Sequence, residues 1–381
     1  MKDFVKRALA VSLSAVAIVA GRGDAATPNI VLRPWVQEVQ FSGDLRLRQE
    51  TFAKEAQGQA DINRQRFRLR LEADFLLPRQ MAVITRLASG TGEQFSTNQS
   101  LTSLSSEKEI WIDWAFLEWK PRPFLRLAGG RMSNPFWRTY ASDIVWDEDF
   151  NPEGFSQSFE WPTVAGARLF VNLLQMAADE DPETQKDQWM FGEQLGAEAP
   201  LPAGSRARAA GAYYQWKNEN IGTFDQPKTN EGNRRTGTGA LQNNFGVLEL
   251  SGEFSTSILS LPCSIQGSFI ENVRADKNLT PKENSGYQAG FRLGRAAIRG
   301  AWELGYFFKR TETDATVADV ADADFGDGGT NRKGHILWLA YNAEDWIQVK
   351  TKYFDTQVIN ENLPPNADGI RRLQFDVALR F

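Results

Sequence analysis

Strict alternation of apolar and charged side chains constrains this chain more than any other feature, because period two marks a strand with two unlike faces. Between Arg64 and Phe75, one face carries Phe67, Leu69, Leu71, Ala73 and Phe75. The other carries Arg66, Arg68, Arg70, Glu72 and Asp74. The segment 370–381 repeats the pattern, with Leu373, Phe375, Val377, Leu379 and Phe381 against Arg372, Gln374, Asp376, Ala378 and Arg380. Sixteen segments of this kind can be placed between 40–53 and 370–381, each of about the length of a tilted transmembrane strand.

The links alternate too. After even-numbered segments they are short, as at Leu77-Pro78-Arg79 and Pro121-Arg122; after odd-numbered ones they are longer and polar, as at 92–107, 133–151, 218–242 and 312–330. Tight turns at one rim and large loops at the other predict an all-β, antiparallel up-and-down transmembrane barrel over 40–381. The even strand count puts both ends of the chain on the short-turn side.

Energy assigns the faces. Each of Arg46, Arg48, Arg66, Arg68 and Arg70, held against lipid near the midplane, would cost about 2–4 kcal/mol. Together that is on the order of 10–20 kcal/mol, more than a typical domain's stability. The charged face must therefore look into an aqueous lumen. On the other face the pairs Trp111/Trp119 and Phe67/Phe75 lie eight residues apart. At about 3.3 Å per residue and a tilt of about 40°, they are separated by roughly 20 Å of height and suit the two interfacial aromatic belts. A sixteen-stranded barrel is too wide for its own side chains to fill, so it leaves a channel unless something plugs it.

The third long link, 133–151, is rich in Trp, Phe, Ile and Val and so calls for a surface to pack on, which predicts that it folds inward. Its acidic residues Asp143, Asp147, Glu148 and Asp149 would then oppose a basic wall of Arg46, Arg48, Arg66, Arg68, Arg70 and Arg126, setting a transverse field across a constriction. The competing reading has the carboxylates solvating an external loop while the arginines pair with Asp44, Glu50, Glu72 and Asp74.

At the N-terminus, Lys2, Lys6 and Arg7 precede an apolar run from Ala8 to Ala20, and small residues flank a cut after Ala25. This is secretory-signal grammar, and the run is short for a membrane span. We expect residues 1–25 to be removed and 26–39 to form a short periplasmic segment.

Composition closes off other classes. One Cys, Cys263, precludes a disulfide framework and a Cys-ligated metal; it is expected to be a small buried residue. The single His, His335, has no Ser nearby in sequence, so no nucleophile and base suggest an enzyme. With 43 Lys+Arg against 48 Asp+Glu there is no nucleic-acid signature. Asp319, Asp322, Asp324 and Asp327 invite a calcium reading, but Lys333 stands where an EF-hand loop needs Glu, so 312–330 is expected to be a solvated extracellular loop. No cofactor is called for.

The chain resembles the putative-porin family of Gram-negative outer-membrane proteins. The resemblance rests on Gly43 to Arg48, Arg64 to Arg70, Ser96 to Gln99, Gly130 to Phe136 and Val145 to Asp149. Phe381, on an alternating last strand, looks like the outer-membrane assembly signal of bacterial barrels. The resemblance implies a passive pore in the outer membrane, surrounded by lipid and lipopolysaccharide, inserted by the barrel-assembly machinery and passing small hydrophilic solutes and ions. A homotrimer is suggested by analogy. The rival is a structural or adhesive barrel with a closed lumen.

Overall fold

The computed structural model describes residues 33–54, 61–140, 142–163, 166–180, 186–220, 232–363 and 369–381. The proposed signal peptide and the start of the 26–39 segment lie outside them. Sixteen long strands run β1 Glu38–Lys54, β2 Ile62–Leu77, β3 Met81–Ser89, β4 Ile110–Arg122, β5 Leu125–Arg131, β6 Glu153–Pro162, β7 Arg168–Asp179 and β8 Gln188–Pro200. They continue as β9 Arg206–Lys217, β10 Gly246–Ile258, β11 Leu261–Asn272, β12 Ser285–Gly294, β13 Trp302–Thr311, β14 Arg332–Glu344, β15 Ile347–Val358 and β16 Ile370–Arg380. Each pairs antiparallel with its neighbours, and β1 pairs with β16 from Asp44↔Arg380 to Lys54↔Ile370, which closes the cylinder. No helix among the described residues is long and apolar enough to cross a membrane. The strands do the crossing.

The outer surface is the apolar face of the alternation, with Leu47, Leu71, Leu195, Leu250, Ile265 and Leu339 all exposed. Exposed aromatics gather near the short turns (Phe124, Trp161, Trp302, Trp346) and towards the loop ends (Phe191, Tyr287). Phe124 and Trp161 stack at 6.4 Å between ring centres. One expected pair fails. Between Arg86/Leu87 and β4 the register shifts by one residue, inserting Asp113, so Trp111 and Trp119 no longer share a face. Cys263 is half-exposed on β11 instead of buried. His335 faces outward between Tyr306 and Phe308.

The inner surface differs from side to side, although polar groups such as Gln194, Glu249 and Gln266 are buried on β8, β10 and β11 as well. Around β1, β2, β15 and β16 it carries charged rows. Around β7 to β11 it is lined by Leu174, Met176, Met190, Tyr214, Trp216, Val247 and Ile270. Packed on that apolar wall are Phe136, Ile144, Val145 and Trp146 of the third loop, Leu241 and Phe245 from the loop before β10, and Ala315, Val317 and Val320 from the loop before β14. The barrel therefore has an off-centre hydrophobic core made by its own loops. The stretch 312–330, expected in solvent, is folded in: Asp314, Asp319 and Asp322 are at most 3% exposed.

Candidate functional site

Alternation aims the side chains of even-numbered residues on β1 and β2 into the lumen, and the register sets Arg46 opposite Arg68 and Arg48 opposite Arg66. Like charges face to face on one sheet repel. Carboxylates spaced among them offset this. Asp44 accepts from Arg68 Nη2 at 2.7 Å and Arg70 Nε at 2.6 Å. Asp376 on β16 takes Arg48 in a two-pronged bond at 2.7 and 2.9 Å, and Glu50 takes Arg64 and Arg372. The loop before β4 contributes as well: the two-residue strand Gln99–Ser100 pairs with β2, and the side-chain Oδ1 of Asn98 beside it accepts from Arg46 Nη2 at 2.7 Å.

The third loop reaches this wall. Asp149 lies 3.9 Å from both Arg68 and Arg70. Burial opposes its charge, but Arg68, Arg46 and Arg70 outweigh that and hold the carboxyl below its ordinary range. Asp147 is nearly enclosed and accepts the Ala323 N–H at 2.7 Å and the Asp149 N–H at 2.8 Å, while its own N–H donates to Val320 O at 2.8 Å. Burial, and then Asp149, Asp322 and Asp143, push the Asp147 carboxyl well above its ordinary range. Burial and Asp322 likewise push Asp143 up to about 6. Glu148, by contrast, lines the lumen exposed, with no side-chain hydrogen bond or ion pair among the described residues.

A second loop shares the site, which the sequence did not disclose. Asp324, before β14, bridges Arg372 Nη2 at 2.6 Å and Arg48 Nη1 at 3.4 Å. Those two cations and Lys352 overcome the burial that would raise its carboxyl and hold it well below the usual range. Lys309 ties the loops together, donating to Asp322 at 2.8 Å and to Asp143 O at 3.1 Å. Sequence reasoning also passed over Arg64, Arg372, Lys350 and Lys352 as site residues, although the same alternation on β2, β15 and β16 aims them inward. Arg126 sits elsewhere: near the short-turn end of β5 it pairs with Glu118 at 2.5 Å and does not line the cavity.

Together these groups surround a polar cavity of about 560 Å³. A second cavity of about 530 Å³ lies towards the short-turn rim, bounded by Tyr140, Arg292, Arg295 and Glu303. Both are lined by Gln348, Lys350 and Arg380, so they adjoin. No group of three or more His, Cys, Asp or Glu among the described residues could hold a metal ion.

The family model described as "Putative porin" matches residues 54–246 and 265–381. Three similar solved structures are OprB of Pseudomonas putida, OmpF of Salmonella typhi in complex with daunomycin, and a mutant Rh. blastica porin. OprB, at high pH, is 11% identical, with a TM-score of 0.59 over 90% of this chain and 94% of its own. OmpF is 9% identical, with a TM-score of 0.55 over 90% and 97%. The Rh. blastica porin is 9% identical, with a TM-score of 0.50 over 90% and 100%. At such identities the likeness is one of fold. No curated protein matches the sequence.

Proposed function

This chain belongs to the putative-porin family and is a porin-type β-barrel channel, and from that premise we propose that ions and small polar solutes diffuse passively through it across the bacterial outer membrane. The proposed constriction lies between the acidic third loop, with Asp143, Glu148 and Asp149, and the basic wall of Arg46, Arg48, Arg66, Arg68 and Arg70. Asp324 joins the acidic side. The observation that carries this reading is the pair of adjoining cavities, both bounded by charged side chains, between the loop side and the short-turn rim. Opposed charges across a narrow aqueous gap discriminate solutes by charge and dipole while leaving small neutral ones free to pass. The surroundings this implies are outer-membrane lipid and lipopolysaccharide, with barrel-assembly machinery for insertion and a homotrimer as the assembly.

Purified, folded protein in planar bilayers should give stepwise conductance. The loops that fill the apolar side of the lumen favour one rival, a structural barrel with a closed lumen. Silence from folded, inserted protein would decide for that rival.

A further inference from the structure

The constriction's arginines are largely spoken for, and the cations that are not form a path of their own. Asp44, Glu50, Asp324 and Asp376 neutralise Arg48, Arg64, Arg68, Arg70 and Arg372 at hydrogen-bonding distance. Lys350 and Lys352 have no carboxylate of the described residues within ion-pair distance; their ammonium groups lie over the rings of Trp338 and Phe354 at 5.5 and 4.7 Å. The carboxylates nearest Lys350 in register are engaged elsewhere. Asp376, its direct partner on β16, binds Arg48. Glu303, two strands away through Ala340, accepts from the Tyr140 hydroxyl at 2.7 Å and from Trp338 Nε1 at 2.9 Å.

The same condition extends along the lumen. Among the described residues, Arg292 and Arg295 in the rim-side cavity, Arg380 and Lys350 where the cavities meet, and Lys352 and Arg46 in the constriction have no ion-pair partner. Arg292 lies 4.1 Å over the Tyr140 ring, and Arg46 is held by the neutral Asn98. Small side chains, Ala340 and Ala378, stand between these cations and keep the wall low. Across the gap Glu148 has no ion pair among the described residues, and neither do Glu72 and Glu93 in the same cavity or Glu253 in the rim-side one.

We propose that these six residues make a continuous anion track, with Lys350 and Lys352 as its selectivity-determining pair, so that the pore favours small inorganic and carboxylate anions over cations. An unpaired cation in an aqueous lumen attracts a passing anion, while one already bound to a carboxylate presents almost no net field. Several weak sites in sequence let the ion leave as readily as it enters. The inference rests on the channel reading above and deepens it.

Reversal potentials of the full chain in a planar bilayer under a KCl gradient test the track, with potassium acetate as the second salt. Wild-type protein should prefer chloride and acetate to potassium. K350Q/K352Q should bring the permeability ratio towards one, K350R/K352R should preserve it, and K350E/K352E should invert it. A cation-selective wild-type pore, or a K350Q/K352Q pore with an unchanged ratio, overturns the track and leaves the channel standing. Absence of any conductance from inserted protein overturns the channel and the track together.

Discussion

Two adjacent acids in the third loop do different work. Glu148 is exposed to the lumen, with no side-chain bond among the described residues, so its charge is left to act on passing ions; Asp147 is buried and fastens the loop through Ala323 and Asp149. E148Q should therefore shift the reversal potential towards anions with little effect on stability. D147N should loosen the clasp between the two inward loops by about 1–3 kcal/mol, because an amide offers one acceptor where the carboxylate offers two. Open-channel current noise and protease sensitivity of the loops would register that loosening. Asp143 adds a pH response. It faces Arg138, Lys309, Lys352, Asp322 and Glu148, and burial and Asp322 hold its carboxyl at about 6. Falling pH through about 6 removes a lumenal anion, so anion preference should rise there, and D143N should abolish the step. For the loop's own stability the sign is opposite to an ordinary salt-bridged acid. A raised carboxyl makes the folded loop dearer as pH climbs from its ordinary range through about 6.

Among the elements, the inward loop is held mainly by Trp146. Its indole is 1% exposed and lies 5.4 Å from Phe150, 5.3 Å from Tyr214, 6.4 Å from Phe136 and 6.5 Å from Trp216 between ring centres. W146A should cost about 3–5 kcal/mol of loop packing while leaving the strands paired. The expected signs are a larger and noisier single-channel current from protein that still runs as a folded barrel on unheated gels. The strands were legible in their alternation; of the third loop the sequence displays only the aromatics, and Phe136 and Trp146 pack against side chains of β7 to β9. The stretch 312–330 was not legible: its aspartates look the same in sequence whether water or Arg48 and Arg372 awaits them, and both arginines lie on strands remote in sequence. Its apolar residues, four alanines, Val317, Val320 and a single Phe325, are mostly small and interleaved with aspartates, so they announce no inward face. Arg126 misled in the other direction, since alternation reveals the face of a strand but not the height along it at which Glu118 captures the side chain. Lys350 and Lys352 alternate as plainly as Arg46 and Arg48, and only closure of the sheet makes the two pairs neighbours of one lumen.

At the scale of the whole molecule, closure between β1 and β16 makes a lumen out of a sheet, and that seam has a point with no spare room. Gly43 N–H donates to Phe381 O at 2.8 Å, and Phe381 N–H returns the bond to Gly43 O at 3.0 Å. A Cβ at Gly43 would stand 2.7 Å from Arg70 O and 2.7 Å from the Phe381 ring. The ring could swing aside, but the Arg70 carbonyl belongs to the β1–β2 ladder and cannot move without breaking pairing on the far side of the seam strand. Overpacking of this kind typically costs about 1–3 kcal/mol. Here the cost falls on the one pairing that connects the first strand to the last, and an open sheet in lipid leaves a row of unpaired backbone groups at several kcal/mol each. G43V should therefore reduce the fraction of protein that reaches the heat-modifiable barrel form, and G43A should do so less. A G43V protein that folds to wild-type yield and conducts normally would mean that the seam relaxes elsewhere, and that Gly43 is a convenience of local packing and not a condition of closure.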